Sequence, residues 1–559
     1  MMLRSPFPLV VSRQVHRSAA AAGHVFILAA AAYLIAGLAL AADSLGVLPP
    51  EPAPMIDSVE IRTENIFDLS DARYKNLLFR LANRYHRVTR QSVVAWEMLL
   101  HQGDFYDTLL AQESARNLRS LPYLLKTEIR MRRGERGENI MSVTTSDKWS
   151  TAAGLSFHRS GGRNDVQLSL QESNLLGLGI FLSQNFYILD HDRNFYQGEL
   201  RSSRIWGNTV AGEVNYSDNP DAGRLAFSLG RPFYSLAQKW SGGVSYGIYS
   251  SRSDYYYRQA LVARDRVTNR TIQVNAKYRI GPEYFKYYFM ALYTYVDNRS
   301  RPRLFYDTDS VVQHQYAPVV PQLPGDSIYH HIQGTIGLQQ VKYRVYRRLN
   351  RFDKPEDINL GLDLRVSAGT ARAVRGSPFQ YYLAYPQYTM AYRAMLLNIG
   401  AAIQRWMRSD HKLRHDFDCH IKWYWQYHAY HTFVVGARYR SDRLREKSYT
   451  LYMDEDNGLR GYPVFYAGGE DRLIVNAENR IFPNLEILSV GIGGVVFADI
   501  GNVWSRGETP IINGFRYAVG FGLRLGITRS THAEVMRLDL AYAPHRHQWQ
   551  ISVGTGQFF

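Results

Sequence analysis

After residue 147 apolar and polar residues alternate with a period of two, and the alternation is sharpest near the end of the chain. Tyr517, Val519, Phe521, Leu523 and Leu525 fall on one face of a strand, and Ala518, Gly520, Gly522, Arg524 and Gly526 on the other. Trp549, Ile551 and Val553 alternate in the same way with Gln548, Gln550 and Ser552, ahead of Gly554, Phe558 and Phe559. The alternating region opens near Thr151, in Trp149-Ser150-Thr151-Ala152-Ala153-Gly154-Leu155-Ser156-Phe157, and candidate strands crowd the stretch between Arg301 and Asp442. Short segments with one apolar and one polar face predict a transmembrane antiparallel β-barrel, apolar towards lipid and polar towards a lumen, over residues 148–559.

Residues 55–147 follow a different pattern, that of a small α+β unit. Ser58-Val59-Glu60-Ile61-Arg62 alternates as a strand. A helix is expected through Tyr74, Leu77, Leu78 and Leu81, and another through Val93, Trp96 and Leu100, stopped by Gly103. A third carries Leu110, Leu118 and Leu121 on one face, and strands follow over Leu125–Met131 and Ile140–Thr144. Residues 43–54 are rich in proline (Pro49, Pro50, Pro52, Pro54) and predict a short extended linker. Residues 1–42 have the layout of a signal peptide: Arg4, Arg13 and Arg17, an apolar run from Ala19 to Leu40, and small residues at Ala39-Leu40-Ala41. Because that run is long for a signal, an uncleaved anchor is the alternative.

Composition narrows the class. Mean hydropathy is −0.31 and 21% of the 559 residues are charged, yet 40 Tyr, 25 Phe and 9 Trp make 13% aromatic, which suits strands and interfacial girdles. No later run approaches the roughly 18 apolar residues that a spanning helix needs. The net charge of +16 comes from Arg and Lys scattered through strands and loops, not from one basic patch, so nucleic acid is not an expected partner. Cys419 stands alone, which excludes an intrachain disulfide.

Chemistry concentrates in Asp456-Asn457-Gly458-Leu459-Arg460-Gly461-Tyr462-Pro463, followed by two acids at strand positions, Glu478 in Asn476–Arg480 and Asp499 in Phe497–Asn502. A guanidinium offers five donors in a planar fork, so an arginine carried inward on a loop can engage carboxylates from two neighbouring strands and pin the loop. The segment from Asp456 to Trp504 resembles the conserved loop and wall carboxylates of the BamA/TamA/two-partner-secretion superfamily of outer-membrane barrels. The resemblance implies a loop lock of Leu459, Arg460, Gly461, Tyr462, Glu478 and Asp499, and about 16 strands. Met453-Asp454 stands where relatives usually carry Gly-Gly, so a different entry angle of the loop is expected.

The β-helix-helix-β-β order of residues 55–147, with an extra helix after the first strand, resembles a POTRA domain. Leu99–Tyr106 and Glu113–Arg119 carry that match. The turn Asn174-Leu175-Leu176-Gly177-Leu178-Gly179 resembles the superfamily's opening hairpins, and the terminal aromatic resembles the signal by which outer-membrane barrels are recognised. These resemblances imply a polypeptide transporter or insertase in the outer membrane of a Gram-negative cell, with its POTRA-like domain in the periplasm. Implied partners are unfolded client polypeptides, outer-membrane lipids, and companion periplasmic or lipoprotein subunits. No cofactor or metal is expected. Clients would pair at a weak seam between the first and last strands, marked by Gly154, Leu155, Phe157, Trp549, Val553, Gly554 and Phe559, with glycines at 154, 554 and 556 thinning its packing.

Two readings compete. One is a secretion pore for a single cognate partner. The other is a barrel enzyme, for which Gly243-Val244-Ser245-Tyr246-Gly247 fits the G-x-S-x-G pattern. That elbow needs a helix directly after the serine, and the next residues continue as a strand. His330, His331, His411, His415 and His420 lack companion carboxylates at a recognisable spacing, so neither a catalytic nor a metal site is expected there.

Overall fold

The computed structural model of the protein describes residues 53–160, 163–189, 193–257, 260–282, 284–304, 326–408, 411–444, 451–463, 466–505, 508, 514–531 and 535–559. The expected signal peptide (1–42) and all of the linker but Ala53 and Pro54 lie outside them. No described helix is long and apolar enough to cross a membrane.

The N-terminal part builds a three-stranded sheet. Strand β1 (Ser58–Glu64) lies parallel to β3 (Asn139–Asp147), which lies antiparallel to β2 (Leu124–Arg133), so the order is β1-β3-β2 and β2 forms one edge. Helices α1 (Leu77–Tyr85), α2 (Gln91–Ala95) and α3 (Thr108–Ser120) stand between β1 and β2 in the chain. Short polar side chains start two of them: Asn76 accepts from the Phe79 N–H at 3.2 Å, and Asp107 from the Leu109 N–H at 2.7 Å. Val94, Leu100, Leu118, Met141 and Val143 are buried together as the core.

The first two helices differ from the pattern expected. Tyr74 lies in a separate 3₁₀ turn (Ala72–Tyr74), and Leu77, Leu78 and Leu81 are exposed. Phe79 turns inward instead, packing with Ile66, Phe67 and Tyr74. Aromatic rings meet edge-on there, Tyr74 and Phe79 at 5.3 Å and 89°, which gives the inner face more contact than the leucine stripe offers. Helix α2 stops at Ala95, leaving Trp96 and Leu100 to pack from the segment that follows.

Residues 151–555 supply a large antiparallel sheet of 22 strands, from Thr151–Ser160 to Gln548–Thr555. Sixteen were expected. The short strand Lys342–Arg347 continues Ser327–Gln340 against the same partner, Pro355–Arg375, and Glu486–Ile487 likewise follows Asp471–Ile481 along Val490–Trp504. With those two merged, twenty positions remain, still an even number. The number sixteen came from the resemblance alone. The alternating segments from Ser327 to Leu444 all pair in ladders, so the surplus candidates there are strands. Val519, Phe521 and Leu523 are exposed while Ala518, Gly522 and Arg524 on the other face are buried, as the period of two requires.

The N-terminal part is held against turns of the large sheet. Arg204 donates to both oxygens of Glu97 at 2.8 and 2.7 Å with both side chains buried, and Arg119 grips Asp357 at 2.9 and 2.6 Å. Glu113 accepts from the Leu236 N–H at 2.7 Å, and burial pushes its carboxyl above the usual range. Asn174 donates to Thr89 at 2.8 Å. Two turns repeat one backbone trick: Leu176 and Trp206, at φ 55° and 50°, each precede a glycine, Gly177 or Gly207, at φ 72° and 78°. A Cβ on Gly207 would stand 2.5 Å from the Trp96 ring, and one on Gly177 2.5 Å from the Val88 carbonyl oxygen. Gly207→Val is therefore expected to destabilise the docking by about 1–3 kcal/mol. Amide hydrogen exchange should rise in residues 88–100 and stay slow in the large sheet; unchanged exchange in 88–100 would show that the turn does not set the docking.

Candidate functional site

The segment Leu451–Gly469 leaves one end of the sheet as a short hairpin, Leu451–Met453 against Ala467–Gly469, and lies along the polar face. Asp454 organises it. Its carboxylate caps a 3₁₀ turn through the Asn457 N–H at 3.1 Å and the Asn457 side chain at 2.7 Å, and its main-chain oxygen accepts from the Leu459 N–H at 2.9 Å. Met453 is buried with Leu459, Tyr462, Ile474, Ala518 and Ala543. The pair Met453-Asp454 thus fixes the loop by burial and capping. Gly458 and Gly461, at φ 108° and 81°, turn the chain on either side of Arg460, and a Cβ on Gly461 would already touch Ala543, Ala541 and Ala518 at 3.3–3.5 Å. Tyr462 donates to the main-chain oxygen of Tyr517 at 3.0 Å.

Arg460, with no exposed surface, meets acids from three strands. It donates to Asp499 through Nε at 2.7 Å and Nη2 at 2.9 Å, and through Nη1 to Glu478 at 2.8 Å and Asp539 at 3.4 Å. Its plane is covered by the rings of Phe497 at 3.4 Å and Phe558 at 4.1 Å. Burial alone would lower the guanidinium's pKa; the hydrogen bonds and charge of Asp499, with the charges of Glu478 and Asp539, outweigh it and hold the cation firmly protonated. Two further buried arginines complete the set: Arg480 donates to Glu478 at 2.8 Å, and Arg524 to Asp539 at 2.5 Å. Arg537, less deeply buried, also reaches Asp539 at 3.4 Å, so four arginines share three acids, with Asn476 bridging Asp499 at 2.7 Å and the Gly458 carbonyl oxygen at 2.8 Å.

The structure brings together Leu459, Arg460, Gly461, Tyr462, Glu478 and Asp499. Arg480, Arg524, Asp539, Asn476, Phe497 and Phe558 join them without having been singled out. The signal for Asp539 was an acid between Leu538 and Leu540 on an alternating strand, and Arg524 was its polar counterpart next door.

The seam residues divide. Leu155, Trp549 and Val553 are exposed at 73%, 60% and 71%, on the outer, apolar face. Phe157 lies in the first strand, its side chain outside the described set. Gly154 and Gly554 are not thin spots: a Cβ on either would meet a side chain of the adjoining strand, Ser169 or Arg537. Phe558 and Phe559 do not extend the last strand, which ends at Thr555. Gly556, at φ 75°, bends the chain, and its N–H reaches the Val535 oxygen at 2.7 Å. Gln557 then donates to the Asn350 oxygen at 2.6 Å, and Arg480 to the Phe559 oxygen at 3.1 Å. The tail turns back from the strand and joins the charged network.

Ser245 lies within the strand Trp240–Tyr257, paired in register with Gln273 and Ser228. The backbone there is extended on both sides of the serine, the opposite of an elbow. His330 meets the Tyr293 hydroxyl at 2.8 Å and His420 the Asn398 oxygen at 3.0 Å; the His411 side chain is outside the described set. Cys419 is half-buried in its strand.

No family model and no curated protein matches the chain. Solved structures to which it is similar include CdiB from Escherichia coli, at 11% identity over 91% of each chain with a TM-score of 0.40. CdiB from Acinetobacter baumannii shares 10% identity over 90% of this chain and 74% of that one, TM-score 0.38. BamA from Haemophilus ducreyi lacking POTRA domains 1–3 shares 13% over 89% and 83%, TM-score 0.33.

Arg460→Ala leaves three acids facing two buried arginines, a loss of about 3–5 kcal/mol for a desolvated pair. Arg460→Lys is expected to recover little, because one ammonium cannot serve three carboxylates in a plane. Thermal unfolding of the purified variants checks both; a lysine variant as stable as the parent would show that charge alone suffices.

Proposed function

We propose that the protein is an outer-membrane polypeptide transporter or insertase, in which the large sheet closes as a transmembrane barrel and residues 55–147 act as a periplasmic POTRA-like receiver. The buried Arg460–Glu478–Asp499–Asp539 network carries this reading: it pins the loop Leu451–Gly469 against the polar face of the sheet. Closure is supported by a strand order that returns from the last strand to the first, and by the main chain of Trp149, which bonds Arg529 at 2.7 Å and Thr531 at 3.0 Å in the turn ahead of the final two strands. Exposed Val519, Phe521, Leu523, Leu538, Ile551 and Val553 give that barrel a lipid-facing surface.

The receiving end is the free edge of β2. A groove of about 370 Å³ runs between α3 and β2, lined by Tyr106, Gln112, Ala115, Arg119, Thr127 and Ile129. The Thr127 hydroxyl is buried there with no hydrogen-bond partner among the described residues. An extended client adds to such an edge through backbone hydrogen bonds, which tolerates many sequences. The client then passes to the seam between Thr151–Ser160 and Gln548–Thr555, where its strands pair and leave sideways into the membrane. Arg460 keeps the loop fixed while the seam opens.

Two tests follow. A photocrosslinking residue replacing Glu128 on β2 should capture unfolded outer-membrane or secreted polypeptides; capture only at control positions on the apolar face of the sheet would remove β2 as the receiver. Leu155→Cys with Val553→Cys, in a Cys419→Ser background and with adjacent registers scanned for Cα atoms within about 7 Å, should abolish transport when oxidised and restore it on reduction. If the oxidised barrel still assembles or exports its clients, transport runs through the lumen and the secretion pore for one cognate partner is the better reading. The same preparations should fractionate with the outer membrane and migrate faster before heating.

A further inference from the structure

Helix α1 has an apolar face that no other described residue covers. Leu77, Leu78, Leu81 and Tyr85 are exposed at 63%, 65%, 37% and 73%. At helical spacing these four fall within an arc of about 100°. Arg80 and Arg84 border that arc, both exposed, and Lys75 and Arg87 flank the helix; none of these four basic side chains makes an ion pair among the described residues. The helix contains no acid, and the nearest, Asp71, is taken by Arg73 at 2.6 Å. A short helix with leucines outward, arginines at the margin and no negative charge has the composition of a helix that lies in a membrane interface.

Its place in the fold agrees. The inner face of α1 packs through Phe79 on Ile66, Phe67 and Tyr74. Arg529 fastens that cluster to the sheet, donating to the Ile66 oxygen at 2.6 Å and the Tyr74 hydroxyl at 2.9 Å and lying 4.4 Å from the Tyr74 ring. Thr528 beside it bonds the Ser489 oxygen at 2.9 Å, joining a second turn in which Leu485, Ile487 and Leu488 are exposed at 49%, 55% and 65%. Both turns end strands whose outer residues, Ile527 and Met536 among them, are apolar and exposed. The apolar outer surface therefore runs past the strand ends onto the turns, to which α1 is fastened.

We infer that α1 inserts its Leu77–Leu78–Leu81–Tyr85 face into the periplasmic leaflet beside the first and last strands, with Arg80 and Arg84 at anionic phospholipid headgroups. The inference rests on the reading of the large sheet as a transmembrane barrel. It gives the extra helix of this domain a partner, the bilayer, and sets the membrane surface at the strand ends where clients would emerge. Helix, turns and sheet would then form one continuous apolar belt.

The full-length Cys419→Ser protein, reconstituted in vesicles of phosphatidylethanolamine and phosphatidylglycerol, tests this with single labels. An environment-sensitive fluorophore on Leu78→Cys should shift to shorter wavelength and be quenched by nitroxides placed shallow in the lipid. A label on Phe521→Cys, on the outer face of the sheet, should be quenched by deep nitroxides, and one on Glu135→Cys, at the tip between β2 and β3, by neither. Adding Leu77→Asp and Leu81→Asp should abolish quenching at Leu78→Cys while Phe521→Cys keeps its own. A Leu78→Cys label that lipid nitroxides leave bright while Phe521→Cys is quenched overturns the helix assignment, whether the site proves open to aqueous iodide or covered by another protein surface. An unquenched Phe521→Cys label overturns the barrel reading itself.

Discussion

A guanidinium with no exposed surface survives only where anions replace the water it has lost, and Arg460 finds three, on three strands. This requirement organises the region around it. Asp499 takes the two-pronged contact, Glu478 divides its oxygens between Arg460 and Arg480, and Asp539 divides its own among Arg460, Arg524 and Arg537. Each carboxylate therefore ties two or more arginines or one arginine doubly, and the strands that carry them are fixed in register by side chains as well as by the ladder. The small residues nearby follow from the same need: Ala518, Ala541 and Ala543 leave room for Gly461 to pass close to the sheet.

The second constraint acts at the other end of the strands. Turns around Gly177 and Gly207 approach the N-terminal residues so closely that a single methyl group would collide with them. Ion pairs Arg204–Glu97 and Arg119–Asp357 then join these residues to separate parts of the sheet. Fixed in this way, the N-terminal residues hold the edge of β2 at one constant orientation relative to the large sheet.

Much of this was legible in the chain. Alternation located the strands and separated their two faces, because a period of two is imposed by the backbone itself. Arg460, Glu478 and Asp499 were legible chiefly through the resemblance of the segment from Asp456 to Trp504, with the planar fork of a guanidinium supplying the reason for one arginine to meet two acids. Asp539 and Arg524 carry a fainter version of the signal, since their partner lies far away in sequence and nothing local shows that the distance is closed. Helix α1 was legible as a helix but not in its orientation; its periodicity marks an apolar face without saying whether protein or another phase covers it. The direction of Phe558 and Phe559 was hidden for a simpler reason. One glycine with positive φ redirects them, and alternation does not register a bend.

That bend joins the end of the last strand to the loop's own network. Arg460, Glu478 and Asp499 precede Asp539 and Phe558 in the chain, so the loop's contacts divide into two acids and one ring from the earlier strands and one acid and one ring from later in the chain. The final strands and the tail supply the rest, and with them Gln557 reaches the turn at Asn350, far back in the sequence. The interior around Arg460 thus depends on residues drawn from the penultimate strand and the tail as much as on the loop that carries it.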